Sequence, residues 1–300
     1  MKFQYFNGGL GNQLFQYIFY RYYQLHAKIG DSSRIDEIWL DDMKFFKVHE
    51  HNGYELERVF GVKPNLVSNY FEPDVWQYMV DIAKNGGGDL CQQMKDMGSD
   101  ITMLAETSNY SFDGKVYSVT ANDYHPQIVT LQGNIYYFGY WINKNWWLKV
   151  RDVLMKELVF AAPTDSVNQG YLDTIQKENC VSVHIRRGDF VTFDWGLPTE
   201  FYHQAMECIS KDMPDATYLV FSDDIPWCKD NYRALGLDIA KDKIIFVTGN
   251  ESDRSYNDMN LMSQCQGMII ANSAFSYFAA LYNNHPGKMI VNPLQGFRDV

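Results

Sequence analysis

The chain has 300 residues, of which 46% are hydrophobic and 21% charged, and its formal net charge is −11. These values are typical of a soluble globular protein with one large or two medium domains. The negative charge excludes a general nucleic-acid binder, which would need a broad basic face. It also makes any local basic cluster informative, because such a cluster must attract an anion against the overall field.

The sequence contains no transmembrane segment, since no run approaches the roughly 20 apolar residues that a membrane span requires. The N-terminal stretch is interrupted by Asn and Gly after six residues, so it is not typical of a signal peptide. Five scattered cysteines, without a CxxC or Cys/His cluster, argue against zinc and fit a reducing cytoplasm. We therefore expect a cytoplasmic location, with peripheral association at the inner membrane surface as the alternative.

The first half of the sequence begins as an α/β domain does. Residues 2–6 predict a short strand, and NGGLGNQ predicts a glycine-rich turn after it. The spacing of apolar residues from Leu14 onward predicts a helix that ends near Gly30. The pattern that follows is less regular. It predicts a strand within 35–42 and helices at 54–61 and 75–97, with a flexible break at 84–90. It also predicts loops or edges at 72–76 and 122–129, an aromatic strand from 134, and a helix from about Trp146.

The second half alternates strands and helices more clearly, after a boundary at AAPTDS, residues 161–166. Short Val- and Ile-rich strands between helices indicate a parallel sheet that is covered on both faces. Ligands of such sheets bind outside the carboxyl ends of the strands. The predicted strands are 180–186, 217–222, 244–248, 268–272 and 288–292, and the predicted helices are 199–213, 226–235, 253–266 and 273–283.

The first candidate site lies where the strand pattern of VSVHIRRGDF ends. Two adjacent guanidinium groups repel each other, and they are easier to explain if an anion sits in front of them. Arginine fits a diphosphate because its fixed donors can grip two oxygens. We predict that Arg186 and His184 project together and that Arg186 holds a phosphate, while Arg187 pairs with a carboxylate. Asp189 is one candidate for that carboxylate. The alternative is an Arg–Asp network that ties a loop to the sheet.

A second strand pattern, LVFSDD, ends at Ser222, Asp223 and Asp224. A carboxylate at this place could accept hydrogen bonds from a guanine edge or a ribose hydroxyl. The alternative is a helix cap, which is the favoured interpretation for Asp224, because a helix is predicted to start beside Pro226.

A third strand pattern ends at Asn272, and a helix begins at once in IIANSAFSYFAALYN. Ser273 and Ser276 place hydroxyls in its first turn, where free backbone N–H groups point outward. Such a helix start is a ready anion site. The alternative is an ordinary Ser/Asn cap. A position beside the end of the arginine strand, if the order of strands in the sheet allows it, would favour the anion site.

A fourth candidate is GGLGNQ at residues 8–13, which lacks the GxGxxG register and is therefore a weak nucleotide-loop signal. Gly8, Gly9 and Gly11 would let the backbone approach a ligand closely. Asn12 and Gln13 could bond sugar hydroxyls or phosphate. The alternative is a tight strand-to-helix turn.

Several motifs are absent from the sequence. It has no GxxxxGK[ST] loop, so P-loop NTPase chemistry is excluded, and it has neither an Asp-x-Asp metal clamp nor a GxSxG elbow. A phosphate held by arginine and a helix dipole fits this pattern. We therefore predict neither a metal site nor a cofactor.

Five stretches together resemble the bacterial α-1,2-fucosyltransferases, glycosyltransferase family 11. The arginine motif alone indicates the wider superfamily, whereas its combination with GGLGNQ and the Asn-Ser-x-Phe-Ser segment is more specific. The stretches occur in the order of the family: GGLGNQLFQY at 8–17, GYWINKNWW at 139–147, VSVHIRRGDF at 181–190, FSDD at 221–224 and MIIANSAFSYFAAL at 268–281.

The resemblance implies an α/β, GT-B-like fold with two Rossmann-like lobes that face each other across a cleft. The acceptor-side lobe would span 1–160 and the GDP-sugar-binding lobe 161–300, with the last helix a candidate to pack back on the first lobe. The implied reaction transfers L-fucose, with inversion and without metal, from GDP-β-L-fucose to the 2-hydroxyl of a β-galactoside in a cell-surface or free oligosaccharide. The implied or proposed donor contacts are Arg186 on the β-phosphate, with His184, Arg187, Ser222, Asp223, Asn272, Ser273, Phe275, Ser276, Gly9, Gly11 and Asn12 around the nucleotide.

The acceptor hydroxyl must lose a proton, which calls for a carboxylate or histidine within hydrogen-bond reach. Asp189 and Asp194 are the nearest candidates in sequence, and with Arg186 they form the predicted catalytic set. A late proton loss to a phosphate oxygen would leave no dedicated base.

The rival hypotheses are a fucosyltransferase with another linkage or acceptor, and a non-catalytic GDP-sugar-binding protein. The chain departs from the family pattern at Ile142-Asn143, which leaves the acceptor open, and at Tyr277-Phe278, where altered packing is expected.

Overall fold

The structure is a computed structural model, and it describes residues 1–27, 37–112, 114–118, 123–293 and 296–299. The chain divides into two compact units, Met1–Val159 and Phe160–Val300. Each unit is built around its own parallel sheet. Among the helices of these ranges, none combines the length and apolar character that crossing a bilayer requires.

The first unit contains a four-stranded parallel sheet in the order β2-β1-β6-β3, together with a separate β4–β5 hairpin. Its strands are β1 (Lys2–Tyr5), β2 (Ile38–Asp41), β3 (Ile101–Ala105), β4 (Asn109–Phe112), β5 (Lys115–Ser118) and β6 (Asn134–Phe138). Its helices are α1 (Leu10–His26), α2 (Met43–Lys47), α3 (Leu56–Phe60), α4 (Pro73–Lys84), α5 (Leu90–Asp96) and α6 (Lys144–Glu157).

Aromatic side chains pack α1 against α6 and against the residues just before α6. The Phe19 ring stacks on Trp141 with centroids 4.4 Å apart and meets the edge of Trp146 at 5.2 Å. All three side chains are fully buried. Burial of such large rings is a major source of folding free energy, because each removes about 150–250 Å² of surface from water.

The second unit contains a six-stranded sheet in the order β12-β11-β10-β7-β8-β9, in which only β12 runs antiparallel. Its strands are β7 (Cys180–Ile185), β8 (Thr217–Ser222), β9 (Lys243–Phe246), β10 (Gly267–Ile269), β11 (Met289–Asn292) and β12 (Gly296–Asp299). Its helices are α7 (Ser166–Lys177), α8 (Gly188–Thr192), α9 (Thr199–Ser210), α10 (Ile225–Asp230), α11 (Tyr256–Met262) and α12 (Ala274–Tyr282).

The predicted class, α/β and GT-B-like with two Rossmann-like lobes, is confirmed. β7 is buried along its whole length, as expected of a strand that helices cover on both faces. The five strands predicted for the second half are present, although β10 ends at Ile269, three residues earlier than predicted.

Several element predictions for the first unit were wrong. Helix α1 begins at Leu10, not near Leu14, because the turn needs only Gly8, with φ +84°, and Gly9 as the cap. The predicted end of this helix near Gly30 lies outside the described residues. The stretch 72–76, predicted as a loop or an edge, contains the start of α4. Pro73 is favourable there, because the N–H of the first helical residue has no partner within the helix.

The missed elements are mostly short. No helix was predicted for α2, α7 or α8, and no strand for β3, β4, β5 or β12. Elements of four or five residues give too few turns or alternations for a periodic pattern, and tertiary contacts therefore decide their conformation.

Candidate functional site

The strand order brings three of the predicted motifs to one edge of the second unit's sheet. β7 lies between β10 and β8, and all three strands run parallel. Parallel strands present their carboxyl ends on the same side, so the ends that carry Arg186, Asp223 and Asn272 are neighbours. We call this side the carboxyl edge of the second unit. The condition that the sequence left open, adjacency of the arginine strand and the Asn272 strand end, is therefore met.

Arg186 follows β7 directly, and its guanidinium lies between two carboxylates. Its Nη1 is 2.7 Å from Oδ2 of Asp223, and its Nη2 donates to Oδ1 of Asp189. The side chain is 28% exposed. An arginine carries five N–H donors, so two ion pairs do not exhaust its capacity. Arg186 is thus held in place while part of its guanidinium faces solvent.

Asp223 fixes the turn between β7 and α8. Its Oδ1 accepts a hydrogen bond of 2.8 Å from the backbone N–H of Arg187, while Oδ2 contacts Arg186. A Cβ on Gly188 would lie 2.5 Å from that Oδ2, which explains why glycine occupies the position. Both oxygens of Asp223 therefore serve the arginine turn, and this carboxylate acts on any ligand through Arg186.

Arg187 pairs with a carboxylate, as predicted, although that carboxylate is Asp224 and not Asp189. Its Nε donates instead to Oδ2 of Asp224 at 3.1 Å, and its guanidinium lies 3.6 Å from the ring centroid of Trp227. Asp224 also caps α10, because its Oδ1 accepts from the Trp227 N–H at 3.1 Å. Of the two adjacent arginines, Arg187 therefore ties the loop to the sheet, which was the alternative interpretation of the arginine motif. Ser222 supports the same corner, since its Oγ accepts from the Asp224 N–H at 3.0 Å.

The carboxyl edge is not a simple basic pocket. Two guanidinium groups, Arg186 and Arg187, face three carboxylates, Asp189, Asp223 and Asp224, which gives this cluster a formal charge of −1. An anion that binds Arg186 must therefore displace a carboxylate or gain help from other donors. Asp189 is the more readily displaced partner, because it lies on the five-residue helix α8 and is 41% exposed.

His184, at the end of β7, is buried with 6% exposure, and its ring centroid is 5.8 Å from that of Phe275. Burial and then the nearby charge of Arg186 lower the pKa of His184 to about 3. The imidazole is therefore neutral at physiological pH and a weak base. Its Nδ1 is buried and makes no hydrogen bond within the described part of the chain.

The low pKa of His184 predicts that acid destabilises the fold. An unfolded histidine takes up a proton near pH 6.5, whereas the folded one stays neutral to about pH 3, so the free energy of unfolding falls as the pH drops through this window. The expected loss from pH 7 to pH 5 is about 2 kcal/mol. Urea unfolding of wild type and His184→Gln at both pH values measures it, and the variant should lose less.

Wild type and His184→Gln share all other titratable groups, so the difference between them removes the contribution of those groups to the pH dependence of stability. Burial raises the pKa of Asp258 to about 7, and this carboxyl binds a proton more readily in the folded state as the pH falls. A parallel fall in both proteins would contradict a buried neutral His184.

The segment after β10 places its polar groups unevenly. Ser273 caps α12 and accepts from the Phe275 N–H at 3.4 Å. Ser276 is fully buried, and its Oγ accepts from the Ala271 N–H at 3.2 Å. The expectation of a direct nucleotide contact for Ser276 does not fit this burial, because its hydroxyl holds the strand-to-helix turn. Ser273, Phe275 and Asn272 remain partly exposed at the carboxyl edge.

The two candidate bases differ in their surroundings. Asp189 is engaged by Arg186, whereas the carboxylate of Asp194 has no hydrogen bond or ion pair to any residue that the structure describes. Asp194 follows α8 and has a φ of +55°, a conformation that Asp and Asn tolerate better than most residues. Of the two, Asp194 is therefore the exposed and uncommitted carboxylate.

The glycine-rich turn of the first unit uses its polar residues internally. Gln13 is fully buried, and its Nε2 donates to the carbonyls of Gly8 at 2.7 Å and Gly53 at 2.8 Å. Its predicted contact with a sugar or phosphate is therefore wrong. Gly11 is also buried, inside the first turn of α1, whereas Gly9 and Asn12 are partly exposed. Only these last two could meet a ligand directly.

The sequence reading missed two features of the second unit's site. Trp227 stacks on Arg187, and the rings of Phe190, Phe193 and Trp195 follow the arginine turn. The signal for the latter was the aromatic spacing in DFVTFDW, directly after the arginine motif.

The described part of the site also lacks a candidate metal centre. Within the ranges that the structure describes, no group of three His, Cys, Asp or Glu residues could hold a metal ion.

Comparisons with known proteins agree with the motifs. An α-1,2-colitosyltransferase of Escherichia coli is 28% identical over 297 residues, which cover 97% of this chain and 90% of that protein. The O-antigen biosynthesis glycosyltransferase WbnK of E. coli is 34% identical over 128 residues, 41% of this chain and 40% of its own. A galactoside α-(1,2)-fucosyltransferase 1 of Plecturocebus brunneus is 26% identical over 106 residues, 33% of this chain and 28% of its own.

The family model for glycosyl transferase family 11 matches residues 112–296. This range includes the arginine turn, both neighbouring strand ends and the whole carboxyl edge of the second unit. The chain therefore belongs to glycosyl transferase family 11 and is a glycosyltransferase.

Proposed function

We propose that the protein transfers L-fucose from GDP-β-L-fucose to the 2-hydroxyl of a β-galactoside, with inversion and without a metal ion. The observation that carries the proposal is the position of Arg186 at the carboxyl edge. Asp189 and Asp223 hold its guanidinium there, and the side chain stays partly exposed, at the end of the strand next to the one that leads to α12. Family membership supports glycosyl transfer. The names of the colitosyl- and fucosyltransferase relatives support the α-1,2 linkage, and the latter name supports a galactoside acceptor.

Stabilisation of the leaving GDP is the main task of the donor site. Bond breaking leaves positive character on the sugar and adds negative charge to the diphosphate, so fixed donors aimed at those oxygens lower the barrier. Arg186 supplies such donors once Asp189 yields its place. The N-terminus of α12, with Ser273 at its cap, adds oriented N–H groups and a positive partial charge. Together these offset the carboxylates that surround the arginine.

The remaining donor contacts follow from exposure. Phe275, Asn272 and Ser222 are partly exposed at the carboxyl edge and are the proposed neighbours of the nucleotide. His184 lies beneath them as a neutral ring, and Asp223 contributes by holding Arg186. In the first unit, we keep Gly9 and Asn12 as proposed donor contacts.

Asp194 is the proposed general base for the acceptor hydroxyl. Its carboxylate is exposed and uncommitted within the described ranges, whereas Asp189 is paired with Arg186. A base must be free to accept a hydrogen bond from the hydroxyl that it deprotonates. Asp194 meets this condition without any rearrangement of the arginine turn.

A second donor, GDP-colitose, is favoured by one specific observation. The colitosyltransferase relative aligns with 97% of this chain, whereas the fucosyltransferase relative aligns with 33%. Colitose is fucose without the 3-hydroxyl, so the two donors share the diphosphate chemistry described above. A donor site with a polar partner for the 3-hydroxyl discriminates strongly against colitose, because that partner would be left unpaired.

One assay tests these assignments together. GDP release is measured from GDP-fucose and from GDP-colitose, each with and without a panel of β-galactosides, and the product linkage is determined. We expect acceptor-dependent release, an α-1,2 product and full activity in excess EDTA. Binding of GDP without release under any condition would favour the non-catalytic alternative. Another linkage, or activity that EDTA removes and Mn²⁺ restores, would overturn the corresponding part of the proposal.

The acceptor and the place of action remain part of the proposal. The name of the WbnK relative refers to O-antigen biosynthesis, which supports a bacterial cell-surface glycan as the acceptor. We propose that transfer occurs in the cytoplasm or at the inner surface of the membrane. The acceptor panel should therefore include β-galactosides that terminate such glycans as well as free oligosaccharides.

A further inference from the structure

The loop after α8 exposes two large aromatic rings side by side. Phe193 is 56% and Trp195 is 57% exposed, and their ring centroids are 4.9 Å apart with the planes at 29°. By contrast, Trp141, Trp146 and Trp147 are fully buried. Stacked rings that both face solvent form a flat apolar surface, and a contiguous exposed apolar surface is a candidate binding site. We call Phe193 and Trp195 the aromatic pair.

Hydrogen bonds and a ring contact hold the aromatic pair in a fixed position. The Trp195 backbone N–H donates to the Phe190 carbonyl at 2.9 Å, and the Trp195 carbonyl accepts from Nδ2 of Asn272, also at 2.9 Å. The Phe190 ring meets the edge of Trp195 with centroids 5.8 Å apart. A held ring binds a ligand at lower entropic cost than a mobile one.

The same residues connect the aromatic pair to the donor site. The Phe190 ring centroid lies 5.5 Å from the guanidinium carbon of Arg186, so one ring touches both Arg186 and Trp195. Asn272, at the strand end beside α12, holds the Trp195 backbone. The apolar surface is therefore continuous with the group that is proposed to hold the diphosphate.

The charge around the aromatic pair selects the kind of ligand. Asp194 lies between the two rings in sequence and carries a carboxylate without a partner among the described residues, and Asp189 lies five residues earlier, on α8. These acids disfavour an anionic lipid surface, which would be repelled. They suit a neutral polyhydroxylated ring, because carboxylates accept hydrogen bonds from hydroxyls. The apolar face of a galactose, with C–H bonds at carbons 3, 4 and 5, matches a flat aromatic surface.

We propose that the aromatic pair is the acceptor subsite, on which the apolar face of the galactose ring stacks beside Asp194. This inference rests on the proposed function and assigns it the residues that bind the acceptor sugar. The aromatic pair positions the ring, so the acceptor hydroxyl is presented to the carboxylate of Asp194. Other pyranosides without a flat apolar face should be poorer acceptors.

Steady-state kinetics of Trp195→Ala and Phe193→Ala test the subsite. Loss of one stacking contact, at about 0.5–1.5 kcal/mol, corresponds to a rise in the KM for the β-galactoside of roughly 2- to 12-fold. The KM for GDP-fucose should rise by less than the KM for the β-galactoside, because the two rings contact the proposed donor site only through Phe190 and Asn272. Trp195→Tyr should restore most of the affinity. Tyr78→Ala, at an exposed aromatic on α4, is the matched control and should leave every parameter as in wild type.

A binding experiment separates failure of this inference from failure of the proposed function. Saturation-transfer NMR with a β-galactoside and GDP reports binding whether or not transfer occurs. Signal that is present in wild type and lost in Trp195→Ala supports the subsite even if the reaction proves to be different. Equal signal in wild type, in both alanine variants and in the double variant would overturn it, as would equal losses for donor and acceptor, which indicate general damage.

Discussion

Replacement of Arg186 by alanine is expected to lower kcat for transfer by about 10²–10³-fold while the protein stays folded. The guanidinium is the proposed partner of the departing diphosphate, and its contribution grows as negative charge develops in the transition state. Its removal also leaves Asp189 and Asp223 without their shared counter-ion. The local formal charge then falls from −1 to −2, so the remaining carboxylates repel GDP.

The effect should divide between binding and chemistry in a characteristic way. Because Arg186 acts most strongly on the transition state, kcat should fall more than the affinity for GDP, which calorimetry measures separately. Arg186→Lys should recover only part of the rate, since an ammonium cannot grip two oxygens with fixed geometry. The folded state of each variant is checked by circular dichroism and thermal unfolding.

A matched control is available on the same unit. Arg254 is an exposed arginine that pairs with Glu251 in an i, i+3 contact, and Arg254→Ala should change neither kcat nor GDP affinity. Near-normal turnover in Arg186→Ala would remove the basis of the proposed donor site. The active chemistry would then have to be sought elsewhere on the carboxyl edge.

The location of this site was predictable because parallel strands are easy to recognise. β7 and β8 are short, mostly apolar runs, and the residue where each run stops is where the chain leaves the sheet. A polar residue at that point, such as Arg186 or Asp223, therefore lies at the carboxyl edge whatever the strand order. The cap at Asp224 was predictable for a related reason, since a helix start has local requirements only.

Side-chain partners were much harder to predict, because they depend on distances between elements. Arg187 could reach Asp189 or Asp224, and the register of β7 beside β8 decides in favour of Asp224. The burial of Gln13 and Ser276 likewise depends on how a loop or strand end packs over each helix. Residue type suggested ligand contacts for both, but hydrogen bonds to the backbone use them instead.

The aromatic pair shows a second limit of prediction from sequence. In sequence, Phe193 and Trp195 resemble the many aromatics of the core. Their exposure follows from α8, a five-residue helix that returns the chain to the surface and that was not predicted. So short a helix has no stable conformation alone, and its contacts with the arginine turn determine it.

Asp194→Asn is expected to lower kcat by about 10²–10⁴-fold, with little change in the affinity for either substrate. Asparagine has the same size, tolerates the φ of +55° at this position, and can still bond a hydroxyl, but it cannot take a proton. Because the Asp194 carboxylate has no partner among the described residues, the substitution should not disturb the arginine turn. Initial rates with saturating GDP-fucose and β-galactoside measure the effect.

Asp189→Asn distinguishes the three possible routes of proton transfer. Asp189 contacts Arg186, so its variant should act mainly on the KM for GDP-fucose. A large loss of kcat in Asp189→Asn alone, with donor affinity unchanged, would make Asp189 the base and contradict the assignment of Asp194. Near-normal kcat in both variants would mean that a phosphate oxygen of the donor takes the proton, because the site would then need no carboxylate for the reaction.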